Sequence, residues 1–159
     1  EVNAYPFTTK RLHVGHFEHR RRIYQMVDTP GLLDRPMVER NDIEMQAIAA
    51  LENVGSIAVY LMDPSESGGN SMLTQENLLA EVTDMLGDTP VLVVDGKMDL
   101  LGLKEGDSVN PDSGHIVISA TEGWGLEELK SILIGKIGAD IIEDPLELPE
   151  GWHRKHRPD

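Results

Sequence analysis

Four stretches of this sequence put polar groups where a phosphate chain, a magnesium ion or a purine base can be held. In Val27-Asp28-Thr29-Pro30-Gly31 a short apolar run ends on an aspartate and turns sharply. An aspartate so placed can hold magnesium, directly or through water, beside a phosphate chain. Gly31 has no side chain, so its N–H can approach a terminal phosphate closely. Asp, Pro and Gly also form plain turns, and taken alone the stretch reads equally as one. Upstream, Tyr5-Pro6-Phe7-Thr8-Thr9-Lys10 sets two threonines before an apolar run. A threonine hydroxyl can complete a magnesium shell while its N–H touches the terminal phosphate.

The other two stretches suit a base. Val91 to Leu100 (VLVVDGKMDL) runs from apolar residues into Lys97-Met98-Asp99. A carboxylate at Asp99 can accept from the N1–H and the exocyclic amine of guanine, a donor pair that adenine lacks. Hydrogen bonds to charged groups contribute about 1.5–3 kcal/mol each, so two discriminate by a few powers of ten. The aliphatic stem of Lys97 can cover the base. In Val117 to Leu129 (VISATEGWGLEEL) a run ends on Ser119-Ala120, whose small side chains leave a backbone N–H free to meet the guanine O6. Each stretch by itself also reads as an ordinary strand end.

The elements that must position these groups alternate short apolar runs with helical periodicity, which is an α/β pattern. Arg11 to Phe17 and Arg22 to Val27 read as antiparallel strands joined by the basic turn Glu18-His19-Arg20-Arg21. A loop follows over Asp28 to Pro36, then a helix over Val38 to Asn53 with Ile43, Ala47, Ile48 and Leu51 on one face. Ser56 to Met62 is nearly all apolar, which predicts a parallel strand buried on both faces. After a loop over Asp63 to Gly69, Ser71 or Thr74 caps a helix carrying Leu78, Leu79, Val82, Met85 and Leu86. Pro90 to Val94 and His115 to Ile118 read as further strands, and Gly125 to Ile141 as the last helix. Glu143 to Asp159 has three prolines and no periodicity, and reads as a tail. In an open α/β sheet ligands sit beyond the carboxyl ends of the strands, where the loops opening at Asp28, Asp95 and Ser119 lie.

Composition narrows the classes. The chain has 159 residues, about one domain, and no cysteine, which excludes disulfides, cysteine-ligated zinc and thiol catalysis. No apolar run approaches the roughly 18 residues of a membrane span, so no membrane partner is expected. Lacking bridges and a signal segment, the sequence points to the cytoplasm. Acidic residues outnumber Lys plus Arg by 28 to 14, a net charge of −14 that repels a DNA duplex. Any RNA contact falls to Arg20 to Arg22 or to His153 to Arg157, which also read as a solvated turn and tail. His13, His16 and His19 invite a metal reading, but strand alternation sends His16 to the opposite face from the other two. Met26, Met45, Met62 and Met85 fall at core-like spacings.

The order of these features, threonine loop, hairpin, DxxG, buried strand, KxD and SA before the last helix, resembles a guanine-nucleotide-binding domain. Within that class the chain resembles the Nog family of Obg-related P-loop GTPases, the nucleolar GTP-binding protein 1 type in its archaeal form. The residues that carry the likeness are YPFTTK, VGHF, YQMVDTPGLLDRP, ERNDIEMQAIAAL and LMDPSE, covering nearly all of residues 4–142. The resemblance implies a P-loop GTPase-like α/β sheet with helices on both faces. Residues 1–142 would be the G domain and 143–159 a tail. It implies nucleotide binding by Phe7, Thr8, Thr9, Asp28, Thr29, Pro30, Gly31, Lys97, Asp99, Ser119 and Ala120, with Thr9 and Asp28 on magnesium. It further implies GTP or GDP with Mg2+ as ligands of the parent protein, GTP hydrolysis there, and a role with the large ribosomal subunit precursor or its RNA. A non-hydrolysing binding module on the same fold is the alternative.

Two positions and one missing motif depart from the pattern. Gly96 stands where the base-reading motif has an asparagine that ties this loop to the phosphate loop. Leu32 stands where many GTPases have a glutamine that orients the attacking water, so slow intrinsic hydrolysis is expected. No Gly-x4-Gly-Lys-Ser/Thr occurs. With Glu1 rather than Met at the start, the expectation is a chain cut just after the phosphate loop and lacking the first strand. Most of the N–H groups that bind phosphate are then missing. Isothermal titration of residues 1–159 with GTP should therefore show no tight binding, and a low-micromolar dissociation constant would contradict this.

Overall fold

The computed structural model describes residues 13–28 and 57–142. Its first unit is a hairpin. β1 (His13–His19) pairs antiparallel with β2 (Arg22–Asp28), in a register that sets His19 opposite Arg22. The turn is thus the two residues Arg20 and Arg21 rather than the four expected, and both strands run further than expected. Arg20 and Arg21 have φ of 49° and 65°. Two successive positive φ values give a turn whose twist matches that of paired strands, which explains why so short a loop suffices. Phe17 and Tyr24 stack across the pair with ring centroids 5.1 Å apart, and the Lys130 ammonium stands 5.4 Å from the Phe17 ring centre. Met26, expected in the core, is 52% exposed, because its strand presents that face to solvent.

The second unit is a parallel sheet in the order β3 (Ala58–Met62), β4 (Val91–Asp95), β5 (Ile116–Val117). Among the described residues the strands therefore form two sheets rather than one. Burial along β3 corrects the expectation of a strand covered on both faces. Tyr60 and Met62 are buried, whereas Val59 and Leu61 are 40% and 52% exposed. Successive side chains point to opposite faces, and α1 (Met72–Leu86) packs on the Tyr60 side.

Ser71 caps α1, its hydroxyl accepting from the Thr74 N–H at 3.2 Å. The buried stripe is Gln75, Leu78, Val82 and Leu86, spaced three or four residues apart as one helix face requires. Each fully buried leucine here contributes roughly 1.5–3 kcal/mol. α2 (Leu126–Ile142) follows β5 and buries Leu133. The helix expected over 38–53, the loop beyond Asp28 and the tail lie outside the described residues.

Gly125 makes the join from β5 to α2 possible. Its φ is +73°, and a Cβ there would stand 2.5 Å from the Val117 carbonyl oxygen. Gly125→Ala should therefore destabilise the chain by about 2–4 kcal/mol, combining left-handed strain with overpacking against backbone. Urea denaturation checks this; an unchanged midpoint would contradict it.

Candidate functional site

Three carboxyl ends meet at one place. Beyond the ladders, the Gly96 N–H donates to the Met62 carbonyl at 2.8 Å and the Ile118 N–H to the Asp95 carbonyl at 2.9 Å. The Met98 N–H then returns to the Ile118 carbonyl at 3.1 Å. These bonds carry the order of the strands into the loops that follow them. Asp95 is fully buried, and its carboxylate accepts from Asn110 Nδ2 at 2.7 Å and Ser113 Oγ at 2.6 Å. His115 Nδ1 lies 2.9 Å from the other carboxylate oxygen. A buried carboxylate is tolerated only when so paired, and this pairing fixes the loop that leads into β5.

A cavity of about 370 Å³ opens above these ends, with Asp63, Gly68, Lys97, Asp99 and Ala120 in its wall. Of the residues expected to read a base, Lys97, Asp99 and Ala120 are brought together here. Asp99 follows Lys97 at the start of a single 3-10 turn, Met98–Leu101, anchored by the fully buried Met98. The Asp99 carboxylate has no hydrogen bond or ion pair among the described residues. The same holds for the Ala120 N–H. One free acceptor pair and one free donor thus face a common space.

Ser119 takes a different part from the one expected. It is fully buried, its N–H donates to the Trp124 carbonyl at 3.0 Å, and its hydroxyl accepts from the Glu122 N–H at 3.2 Å. Its N–H is therefore spent on shaping the turn that presents Ala120. Asp28 is exposed at the end of β2. Phe7, Thr8, Thr9, Thr29, Pro30 and Gly31 lie outside the described residues, so the expected phosphate side cannot be assembled from described groups. Among the described residues no three His, Cys, Asp or Glu side chains come together to hold a metal. Asp28 is the described member of the expected magnesium pair, and one carboxylate does not make a site.

The structure explains Gly96. A Cβ at this position would stand 3.2 Å from Leu61 Cδ1 and 3.3 Å from the Met62 carbonyl oxygen. Any side chain there would need Leu61 and the Met62 carbonyl to give by a few tenths of an ångström.

Sequence reasoning missed Asp63 and Gln75. The Lys97 ammonium reaches Asp63 Oδ2 at 2.6 Å and Ser67 Oγ at 2.7 Å. Asp63 also accepts from Ser65 Oγ at 2.5 Å and the Gly68 N–H at 3.0 Å. Gln75, fully buried, grips the same residue by its backbone. Its Oε1 accepts from the Asp63 N–H at 2.6 Å and its Nε2 donates to the Asp63 carbonyl at 3.0 Å. Asp-Pro-Ser-Glu-Ser-Gly-Gly-Asn has the composition of a side-chain-capped loop, which was the available signal for Asp63. A helical glutamine carries no mark that it will be buried.

Comparison with known proteins bears on the fold and the family. Residues 42–99 match the family model of Nucleolar GTP-binding protein 1 (NOG1). The chain is 48% identical over 101 residues to an uncharacterized protein of Methanocaldococcus jannaschii, covering 64% of this chain and 27% of that one. It is 36% identical over 131 residues to Nucleolar GTP-binding protein 1 of Saccharomyces cerevisiae, covering 82% of this chain and 20% of the relative. A crystal structure assigned to nucleolar GTP-binding protein 1 of Plasmodium falciparum superimposes with a TM-score of 0.66 at 29% identity, over 83% of this chain and 73% of that one. The G domain of the Thermotoga-type (T. maritima) FeoB iron transporter superimposes with a TM-score of 0.56 at 20% identity, over 86% and 82% of the two chains. The fold is therefore that of a GTPase G domain. Within that class the chain is a relative of the nucleolar GTP-binding protein 1 family, as its sequence resemblance implied. It spans about a quarter or less of the length of the curated relatives it matches.

Burial alone would raise the Asp63 pKa. Hydrogen bonds from Lys97, Ser65 and the Gly68 N–H, with the lysine charge, overcome this and bring it from 3.8 down to about 2. The folded value lies below the unfolded one, so the stabilisation is fully present above about pH 3.8 and is lost as pH falls toward about 2. Acid unfolding followed by circular dichroism should show this loss between those values, and Asp63→Asn should remove that part of the pH dependence. An identical acid limb in the variant would contradict the assignment.

Proposed function

We propose that the cavity beyond β3, β4 and β5 receives the guanine base of GTP or GDP. The observation that carries this is the pairing of an unsatisfied Asp99 carboxylate with an unsatisfied Ala120 N–H across one cavity. Guanine offers N1–H and an exocyclic N–H₂ to the carboxylate and its O6 to the N–H. Adenine would oppose its N1 lone pair to the carboxylate and an amine to the N–H, two repulsive contacts. Lys97 supplies an apolar stem to the base face. Ser119 acts on the base through the turn it holds, and Ala120 acts directly.

The phosphate side of the reading stays with Phe7, Thr8, Thr9, Asp28, Thr29, Pro30 and Gly31. Thr9 and Asp28 would be the magnesium residues, and no step of the reaction is drawn through the ion. For the whole protein we propose magnesium-dependent GTP binding and slow GTP hydrolysis in the cytoplasm, linked to assembly of the large ribosomal subunit. The relatives' name, nucleolar GTP-binding protein, supports the nucleotide and hints at a ribosome-related partner. Residues 1–142 are assigned to the G domain and 143–159 to a tail. A second reading, a binding module without turnover, is favoured by Gly96 and the way Leu61 fills its neighbourhood.

Titration of the chain with guanosine and adenosine, followed by amide chemical shifts, tests the base assignment. The chain should bind guanosine at least tenfold more tightly than adenosine, and Asp99→Ala should abolish the preference. Equal affinity for the two nucleosides would overturn the reading.

A further inference from the structure

Lys97 is held in an unusual way for a residue expected to lie on a base. Its φ is +54°, one of four positive values among the described non-glycine residues. Two of the others, Arg20 and Arg21, form the hairpin turn. Its side chain crosses 34 positions of sequence to end on Asp63 and Ser67, at 2.6 Å and 2.7 Å. The lysine is 44% exposed and Asp63 only 18%, so the carboxylate is the fixed partner and the lysine the one that is captured.

The anchor is built to stay in place. Gln75 brackets the Asp63 backbone from both sides and also donates to the Asn70 carbonyl at 3.0 Å, closing the loop on itself. Ser65, Ser67 and the Gly68 N–H occupy the carboxylate's remaining acceptor sites. Gly68 packs close to the pair: a Cβ there would stand 3.2 Å from Asp63 Oδ2 and 3.7 Å from the Lys97 ammonium. Asp63, Gly68, Lys97 and Asp99 all line the same cavity, so the ion pair closes one of its walls. Meanwhile position 96 has no side chain with which to tether the loop that carries Lys97 and Asp99.

We propose that Asp63, with Ser67 and the Gly68 N–H, is the positioning group of the base site: it pins the Lys97 ammonium so that the lysine stem forms a fixed wall over the base. This tether replaces the one that an asparagine at position 96 would give. A free lysine would lose rotamer freedom on each binding event, whereas a pinned one has already lost it, so the tether raises affinity without touching the base. Selectivity stays with Asp99 and Ala120. The inference rests on the base-binding reading above.

The test is guanosine and adenosine binding by the full chain and by Asp63→Asn, Lys97→Met and the double variant, read from amide shifts. The ring-current shift of the Lys97 methylenes is read alongside. Asp63→Asn should weaken guanosine binding about 3–10-fold, with the guanosine preference intact and the methylene shift reduced. Lys97→Met, which keeps a stem but has no ammonium, should weaken it similarly, and the double variant should be no weaker than Lys97→Met alone. Ser67→Ala removes one lysine contact and the longer Ser67 bond to Asp63 but keeps the Asp63 carboxylate and its ion pair with Lys97; it should cost about twofold and carries the test if Asp63→Asn loses its folded spectrum. Wild-type guanosine affinity in Asp63→Asn, or in Ser67→Ala where that variant carries the test, overturns the proposal, as does additivity in the double variant. If in that case Asp99→Ala still abolishes the guanosine preference, the base reading stands and only the tether falls. If the unmodified chain shows no preference for guanosine, the base reading falls and takes the tether with it.

Discussion

The arrangement depends on one buried carboxylate. Asp95 ends β4, the middle strand of the parallel sheet, with none of its surface exposed. A charge in such a place is costly unless several donors surround it. Asn110, Ser113 and His115 do so, and all three come from the segment that leads into β5. The need to satisfy Asp95 thus ties β5 to β4, and the backbone bonds from Ile118 and Met98 extend that tie into both loops of the site. Apolar packing by α1 holds the sheet, but polar satisfaction sets where its loops end.

The same logic repeats one strand over. Asp63 ends the run of β3 as Asp95 ends β4, and it too is surrounded by donors, here from its own loop and from Lys97. Each of these carboxylates converts a strand end into a shaped rim. The residues proposed for the base lie together at the ends of β3, β4 and β5. Of the residues proposed for the phosphate side, Asp28 ends β2 and the others lie outside the described part.

Much of this was legible in the sequence, for identifiable reasons. Apolar runs located β3 and β4, and helical spacing located α1 with its buried Leu78, Val82 and Leu86. Lys97 and Asp99 stood out through the order of motifs along the chain, since Lys-Met-Asp alone also reads as an ordinary strand end. Burial on both faces of β3 was misread because an all-apolar run reports what a strand can bury, not which neighbours are there; Val59 and Leu61 are exposed. Met26 failed for the same reason. Ser119 was read as an open strand end, yet its N–H is taken by Trp124 across an isolated bridge that no local pattern announces. Gln75 and the partners of Asp95 were hidden because their roles arise from contacts 12 to 20 positions apart, where sequence spacing carries no signal.

The central claim is that the carboxyl ends of β3, β4 and β5 form one guanine pocket. Intermolecular nuclear Overhauser effects between guanosine and the chain test it most directly. The account predicts contacts from the guanine ring to the Lys97 methylenes and to the Ala120 methyl and amide protons, on the same bound molecule. Contacts confined to the hairpin or to α2, with none to Lys97 or Ala120 at saturating guanosine, would contradict it.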